Sequence, residues 1–161
     1  MPALHDGDLV VWDSLAICEY ANERWLAGRG WPAALEQRAL ARSAAAEMHS
    51  GFAALRGQLP MNLRRQPREP HWDGAAESDI RRVQELWGRL RSGAQDGDFL
   101  FGGFGIVDAM FAPVCVRFRG YGVRLDPVCS AYVEAIHALP AMREWAAAGL
   151  AETARVDADE A

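Results

Sequence analysis

The feature that most constrains the fold of this 161-residue chain is an almost continuous apolar stretch between residues 106 and 119. Its large apolar side chains recur at the three-to-four-residue period of an α-helix. Two adjacent rows result: Ile106, Met110, Val114 and Phe118, with Val107, Phe111 and Cys115 alongside. Because a helix that is apolar over so much of its surface must be covered on most sides, we predict a buried, central helix.

Other segments carry the narrower apolar stripe of a helix that buries one face. The longest predicted helix runs from about residue 32 to 59, and its stripe is Leu40, Ala44, Met48, Phe52, Leu55 and Leu59. Shorter amphipathic helices are predicted over 75–93, 126–139 and 140–149. We therefore predict an all-helical domain over residues 32–150, followed by an acidic tail over residues 151–161.

Residues 1–27 have a different organisation. Short strands over 3–4 and 9–12 flank His5-Asp6-Gly7-Asp8, and an Asp-Gly pair favours a tight hairpin turn. Ser14 is a favoured residue type for the N-cap of the helix that follows, to about residue 25. The whole chain is therefore predicted to be mostly α, with a small hairpin in front.

Composition excludes several functional classes. The net charge of −5 argues against a nucleic-acid-binding protein, which needs a basic face. An arginine-rich stretch at residues 64–68 is a local exception that we interpret as a solvated loop. Three cysteines without metal-ligand spacing favour a reducing compartment, and the chain has neither a signal-peptide pattern nor a long apolar run. We expect a cytoplasmic protein without a metal site.

Several segments, in order along the chain, resemble bacterial glutathione transferases. Met1-Pro2 and Asp13-Ser14 resemble parts of the second half of that family's thioredoxin-like domain. Residues 48–62, 99–114 and 139–145 resemble segments of its helical domain. The resemblance implies a glutathione transferase C-terminal-type helical bundle, preceded by a remnant (β-hairpin plus helix) of the thioredoxin-like domain.

A glutathione-binding site is implied by the same resemblance. Ser14 and its N–H would hold the γ-glutamyl carboxylate, with Asp13 near the γ-glutamyl amine. Met1 and Pro2 would pair with the cysteinyl part through their backbone. A helix N-terminus suits a carboxylate because it presents unpaired N–H groups and partial positive charge. The alternative is that Ser14 only caps its helix.

The family's thiol-activating Ser, Tyr or Cys has no counterpart in this sequence, so we expect an N-terminally truncated member and assign no catalytic residue. With the missing part present, the implied function is conjugation of the glutathione thiolate to a hydrophobic electrophile. The alternative function is a non-catalytic helical protein-interaction module.

The helical domain of the family supplies the pocket for the electrophile. By resemblance this pocket would contain Met48, His49, Phe52 and Phe111; the alternative is that these residues are ordinary core. The family also forms dimers, so we expect a homodimer that uses the alanine-rich flank of the 32–59 helix, at Ala41, Ala45 and Ala46.

The start of the central helix departs from the family pattern. The family has Ser or Thr at the N-cap, where this chain has Gly105, whereas Asp108 is kept three residues later. Asp108 can still accept the Gly105 N–H, and Gly costs only a few tenths of a kcal/mol relative to Ser at an N-cap. We therefore predict a slightly weakened structural cap and an intact helix.

Overall fold

The computed structural model describes residues 2–65, 71–93 and 96–154. Met1, residues 66–70, which include the end of the arginine-rich stretch, residues 94–95 and the acidic tail from residue 155 lie outside the described residues. The elements, in chain order, are β1 (Ala3–Asp6), β2 (Leu9–Trp12), α1 (Ser14–Arg24), α2 (Leu35–Ser50), α3 (Ala53–Gln58), α4 (Gly74–Ser92), α5 (Ile106–Gly120), α6 (Pro127–Ala138) and α7 (Pro140–Ala151). The mostly-α prediction with a leading hairpin is confirmed. None of the helices described is both long and apolar enough to cross a membrane.

The two strands form an antiparallel hairpin whose turn is tighter than the sequence suggested. Asp6 pairs with Leu9, so the turn consists of Gly7 and Asp8 alone. Gly7 has a φ of 59°, a left-handed conformation that is accessible to glycine at little cost. Helix α1 packs against both strands and fixes the hairpin to the rest of the chain.

Helix α5 is the centre of the helical body, as its apolar pattern indicated. It packs against α2 on one side and α6 on another. Most of its apolar side chains are buried, and a cluster of aromatic rings forms around Trp87 of α4. The Trp87 ring lies 5.7 Å from Phe111, 5.4 Å from Phe118 and 4.8 Å from Tyr132, centroid to centroid. The contacts with Phe111 and Tyr132 are edge-to-face, and such contacts add to the stability gained by burying the rings.

The long helix predicted over residues 32–59 is two helices, α2 and α3. The chain breaks at Gly51, and Phe52 takes the left-handed conformation with φ 56°. A Cβ at residue 51 would lie 2.7 Å from the Glu47 carbonyl oxygen, so this break requires glycine. The α3 helix then gains a partner distant in sequence, since the Leu55 N–H donates to Asp79 Oδ2 of α4 at 3.0 Å.

The buried face of α2 also differs from the prediction. It consists of Ala41, Ala44, Ala45 and Met48, whereas Leu40 is 41% exposed. Ala41 and Ala45 therefore cannot contribute to a dimer interface as the sequence suggested, because they are already covered within the chain. Two more large apolar side chains are exposed, Trp25 at the end of α1 and Val128 of α6.

A buried hydrogen-bonded joint connects α1 to the start of α5. Asn22 of α1 is 4% exposed, and its Oδ1 accepts the Gly30 N–H at 2.7 Å. The Gly30 carbonyl in turn accepts the Ile106 N–H at 2.9 Å, which satisfies one of the unpaired donors at the N-terminus of α5. This joint fixes the hairpin and α1 relative to the helical body.

Candidate functional site

Three elements meet at one end of the hairpin. Ala3 lies opposite Trp12 in the strand register, so Pro2 precedes β1 at the same end at which Asp13 follows β2. Helix α1 begins there, and His49 approaches from the last turn of α2. The structure therefore brings together three of the four residues expected to bind glutathione, Pro2, Asp13 and Ser14. Met1 lies outside the described residues.

Asp13, not Ser14, caps helix α1. One carboxylate oxygen, Oδ1, accepts the N–H groups of Leu15 at 2.9 Å and Ala16 at 3.2 Å. Asp13 reaches both donors from an unusual backbone conformation, φ 77° and ψ 131°. A non-glycine residue at positive φ carries a conformational cost, and such residues are concentrated at functional sites. Ser14 is consequently the first residue of the helix rather than its cap.

The second carboxylate oxygen of Asp13 pairs with His49. The distance from His49 Nε2 to Asp13 Oδ2 is 2.9 Å, and both side chains are about one-third exposed. The N–H groups of Ala16 and Leu15, together with His49, hold the pKa of the Asp13 carboxyl below its usual value, with Ala16 contributing most. Asp13 is therefore ionised at neutral pH. Sequence reasoning missed this pair, because no local pattern connects residues so far apart in the chain.

Ser14 retains unused hydrogen-bonding groups. Neither its Oγ nor its backbone N–H has a hydrogen-bond partner among the residues that the structure describes. The two following N–H groups are already bound by Asp13. The start of α1 thus presents one hydroxyl and one N–H at the positive end of the helix, which is a suitable arrangement for a carboxylate.

Three of the four residues assigned to the electrophile pocket are buried in the structure. Met48, Phe52 and Phe111 are 5%, 7% and 0% exposed and belong to the hydrophobic core. Their helical spacing had two interpretations, and the structure agrees with core packing, because α2 and α5 pack directly against each other. Only His49 of this group reaches the surface, where it contacts Asp13.

None of the three cysteines has the properties of an activated nucleophile. Burial, followed by the charges of Glu19 and Asp13, raises the pKa of the Cys18 thiol above its usual value. Burial raises the pKa of Cys129 to about 12 and that of Cys115 well above the usual range. All three are therefore protonated thiols at neutral pH, whereas nucleophilic catalysis requires the thiolate.

Gly105 and Asp108 form the start of α5, away from the Asp13 site. Asp108 Oδ2 accepts the Gly105 N–H at 2.8 Å, while Oδ1 accepts the Leu100 N–H and the Tyr132 hydroxyl, both at 3.1 Å. Burial raises the pKa of this carboxyl to about 6, although the three hydrogen bonds oppose the shift. Gly105 and Asp108 therefore stabilise the start of α5.

Within the described ranges, no group of three or more His, Cys, Asp or Glu residues is arranged to hold a metal ion.

Comparisons with known proteins agree with this architecture. Residues 25–148 match the family model described as the C-terminal domain of glutathione S-transferase. The matched residues include most of the helical body and exclude the hairpin. No curated protein matches the chain.

Solved structures resemble the chain over nearly its whole length. A glutathione transferase homologue from Burkholderia, solved with bound glutathione, is 26% identical and has a TM-score of 0.69; the match covers 94% of this chain and 73% of that one. A theta-class glutathione S-transferase from Xanthomonas axonopodis pv. citri, also with glutathione bound, is 24% identical over 89% of this chain and 70% of its own, with a TM-score of 0.62. A bacterial zeta-class enzyme, maleyl pyruvate isomerase, is 22% identical over 97% of this chain and 76% of its own, with a TM-score of 0.69. The last two likenesses show a shared fold.

Proposed function

We propose that this chain, which belongs to the glutathione S-transferase family, binds glutathione at the start of helix α1. The observation that carries the proposal is the pair of unused groups on Ser14, its N–H and its hydroxyl, at the positive end of a helix. A carboxylate bound there would accept two hydrogen bonds from one residue. The Burkholderia homologue, with glutathione bound, supports the choice of ligand.

Asp13 supplies the opposite charge in this proposal. The γ-glutamyl group carries an ammonium beside its carboxylate, and Asp13 is ionised and adjacent to Ser14. The Asp13 oxygens already accept hydrogen bonds from two N–H groups and from His49. The ammonium would therefore share Asp13 Oδ2 with His49, and the His49 ring would turn aside or act as a second neighbour of the ligand.

The reaction that we propose is conjugation of glutathione to a hydrophobic electrophile. Glutathione is a co-substrate, its thiolate is the nucleophile, and the carbon–sulfur bond forms as the leaving group departs. Pro2, Asp13 and Ser14 orient glutathione, and none of them is assigned to activating its thiol. The three free cysteines, Cys18, Cys115 and Cys129, fit a reducing compartment, and we place the activity in the cytoplasm.

Glutathione binding by calorimetry tests the proposal. We expect Ser14→Ala to weaken binding about ten- to a hundredfold, since a hydrogen bond to a charged group contributes roughly 1.5–3 kcal/mol. An analogue of glutathione with its γ-glutamyl carboxylate amidated should bind weakly and lose little further affinity in the variant. The matched control is Ser43→Ala on α2, because the exposed Ser43 hydroxyl donates only to the Ala39 carbonyl of its own helix.

Equal glutathione affinity in Ser14→Ala and wild type would contradict the assignment of Ser14. Turnover of a chlorodinitrobenzene-type substrate by the wild-type chain supports conjugation. A folded wild-type chain that neither binds glutathione nor turns over this substrate would instead favour the alternative, a non-catalytic interaction module.

We also propose that two copies of the chain associate through the outward face of α2. Leu35 is 70% exposed, and Ala46, about 20° round the helix from it, lies on the same exposed side. Leu40, 41% exposed, lies about 140° round the helix from Leu35 and is outside this face. Apolar side chains aligned along one exposed helix face are suited to association with a second apolar surface. This face replaces the Ala41 and Ala45 flank, which the core of the chain already covers.

A further inference from the structure

A cleft lies between the start of α4 and the segment that joins α5 to α6. Its volume is about 270 Å³. The residues that line it are Trp72, Glu77, Ile80, Gly122, Val123 and Arg124. None of them belongs to the candidate glutathione site at the start of α1. The volume is just below the roughly 300 Å³ at which pockets for drug-sized molecules begin, so the cleft suits a small ligand.

Hydrogen bonds hold the two walls of this cleft in place. The side-chain amide of Gln84, on α4, donates to the Arg124 carbonyl at 3.3 Å, and its oxygen accepts the Asp126 N–H, also at 3.3 Å. The Val123 N–H donates to the Phe118 carbonyl at 2.9 Å, which ties the same segment to the end of α5. Because both walls are fixed to helices, a ligand would enter a preformed site, and little ordering would oppose its binding.

The floor of the cleft is apolar. Ile80 is 2% exposed and Val123 is 9% exposed, and both belong to the hydrophobic core of the helical body. Trp72, which also lines the cleft, is half-buried and packs against the same core. An apolar group of a ligand that covers this floor would leave water, which favours binding.

Two side chains of opposite charge line the cleft without pairing with each other. Glu77 Oε2 accepts the Trp72 indole N–H at 2.7 Å, which orients the carboxylate, while Oε1 has no hydrogen-bond partner among the residues that the structure describes. Within the same residues, the Arg124 guanidinium has neither an ion pair nor a hydrogen bond. Both side chains are exposed, so a ligand can reach them. Unpaired charges of both signs in one cleft complement a ligand that carries both.

We propose that this cleft, the Glu77–Arg124 cleft, binds a small zwitterion with an apolar side chain, of the kind found in a free amino acid or a dipeptide. The ammonium of the ligand contacts Glu77 Oε1, and its carboxylate contacts the Arg124 guanidinium, whose fork of N–H donors matches two oxygens. The apolar side chain of the ligand covers Ile80 and Val123. The site does not depend on the proposed glutathione function.

Nuclear magnetic resonance titration of the full chain tests the proposal, with L-phenylalanine and L-alanyl-L-phenylalanine as the zwitterionic probes. The amide signals of Gly122 and Val123 and the indole N–H signal of Trp72 report on the cleft. We expect saturable shifts with at least one probe, and the tighter of the two shows how far apart the site holds the two charges. 3-Phenylpropionate lacks the ammonium and phenethylamine lacks the carboxylate, so each should bind about fivefold or more weakly than the tighter zwitterion.

Two variants remove the protein charges one at a time. Glu77→Gln keeps an acceptor for the Trp72 indole but loses the negative charge, so it should weaken zwitterion binding about fivefold or more and should not weaken the binding of 3-phenylpropionate. Arg124→Gln should weaken zwitterion binding to a similar extent and should not weaken the binding of phenethylamine. The matched controls are Glu36→Gln in the first turn of α2 and Arg89→Gln in the last turn of α4, both exposed, and each should change the affinity less than twofold.

Three results would overturn the proposal. The first is that the shifts saturate with neither zwitterion. The second is that 3-phenylpropionate or phenethylamine binds as tightly as the zwitterions, since the site would then not require both charges. The third is that Glu77→Gln and Arg124→Gln leave the zwitterion affinity unchanged. Ser14→Ala should bind the zwitterions as the wild type does, which separates this cleft from the glutathione site.

Discussion

At the scale of single residues, the energetically most demanding side chain is Asp108. It is completely buried, and it accepts hydrogen bonds from two backbone N–H groups and one hydroxyl. Burial also raises the pKa of Tyr132 well above its usual range, so this hydroxyl remains a donor. Asp108 therefore connects the loop before α5, the first turn of α5 and helix α6 through one carboxyl group.

Replacing Asp108 by alanine should destabilise the fold strongly. The change leaves the Leu100 and Gly105 N–H groups and the Tyr132 hydroxyl without their acceptor, and we expect a loss of roughly 3 kcal/mol or more. The control is Asp126→Ala. Asp126 is a more exposed cap of α6 that accepts one N–H, from Cys129 at 2.9 Å, so its loss should be about 1 kcal/mol. Urea unfolding measures both, and similar losses would contradict the bridging function of Asp108.

The raised pKa of Asp108 also predicts a pH dependence. The folded chain holds the Asp108 proton more tightly than the unfolded chain, because the pKa rises from 3.8 to about 6. Tighter binding of this proton stabilises the folded chain by about 3 kcal/mol. This stabilisation is fully present below pH 3.8 and is lost as the pH rises to about 6. The free energy of unfolding, measured from pH 4 to 7, should include this decrease with rising pH in the wild type. The Asp108→Ala variant should lack the decrease.

At the scale of elements, glycines decide where helices begin and end. Gly51 separates α2 from α3, although the apolar stripe continues through the break with Met48, Phe52 and Leu55. Periodicity alone predicts one helix there because the buried face is continuous. The cost of glycine within a helix, about 1 kcal/mol, is the one local signal of the break. The Asp79 contact that supports α3 comes from a different helix and is invisible to local pattern.

The N-cap of α5 gives a prediction on which local rules and the tertiary structure disagree. Helix-capping rules favour Gly105→Ser by a few tenths of a kcal/mol. In the structure, however, a Cβ at this position would lie 2.9 Å from the Gly30 carbonyl oxygen, which is part of the joint to α1. We expect the substitution to destabilise the chain by about 1–2 kcal/mol, as overpacking does.

Thermal or urea unfolding of Gly105→Ser measures the difference. The matched control is Gly103→Ser in the same loop, because no atom lies within 4 Å of a Cβ built there. That control should change stability by less than about 0.5 kcal/mol. A more stable Gly105→Ser variant would mean that the Gly30 carbonyl moves aside easily and that the joint is not rigid.

At the scale of the whole molecule, the proposed association through α2 has a direct test. Leu35→Glu places a charge on the proposed interface, and we expect its dimer dissociation constant to be at least tenfold higher than that of the wild type. Leu150→Glu on α7 is the control, since Leu150 is also exposed, at 57%, but lies on another helix. Sedimentation equilibrium measures both; a monomeric wild type, or equal effects of the two variants, would contradict this interface.

Patterns along the chain suffice to predict the class of the fold and the family. Helical periodicity and the apolar richness of residues 106–119 require a helical body around a central helix, since only burial on several sides makes such a segment stable. The motifs along the chain were sufficient to identify the glutathione transferase family, to which the match over residues 25–148 also assigns it. The helical periodicity and the family motifs can both be recognised along the chain without knowing which segments pack together.

Tertiary packing determines how particular side chains are used. It makes Asp13 the cap of α1 instead of the predicted Ser14, pairs Asp13 with His49, and places Met48 and Phe111 in the core. It also brings Glu77 and Arg124 to one cleft. Local pattern leaves these uses open for two physical reasons. An apolar residue at helical spacing fits a core and a pocket equally well. A charged residue acquires its partner only when distant segments pack together.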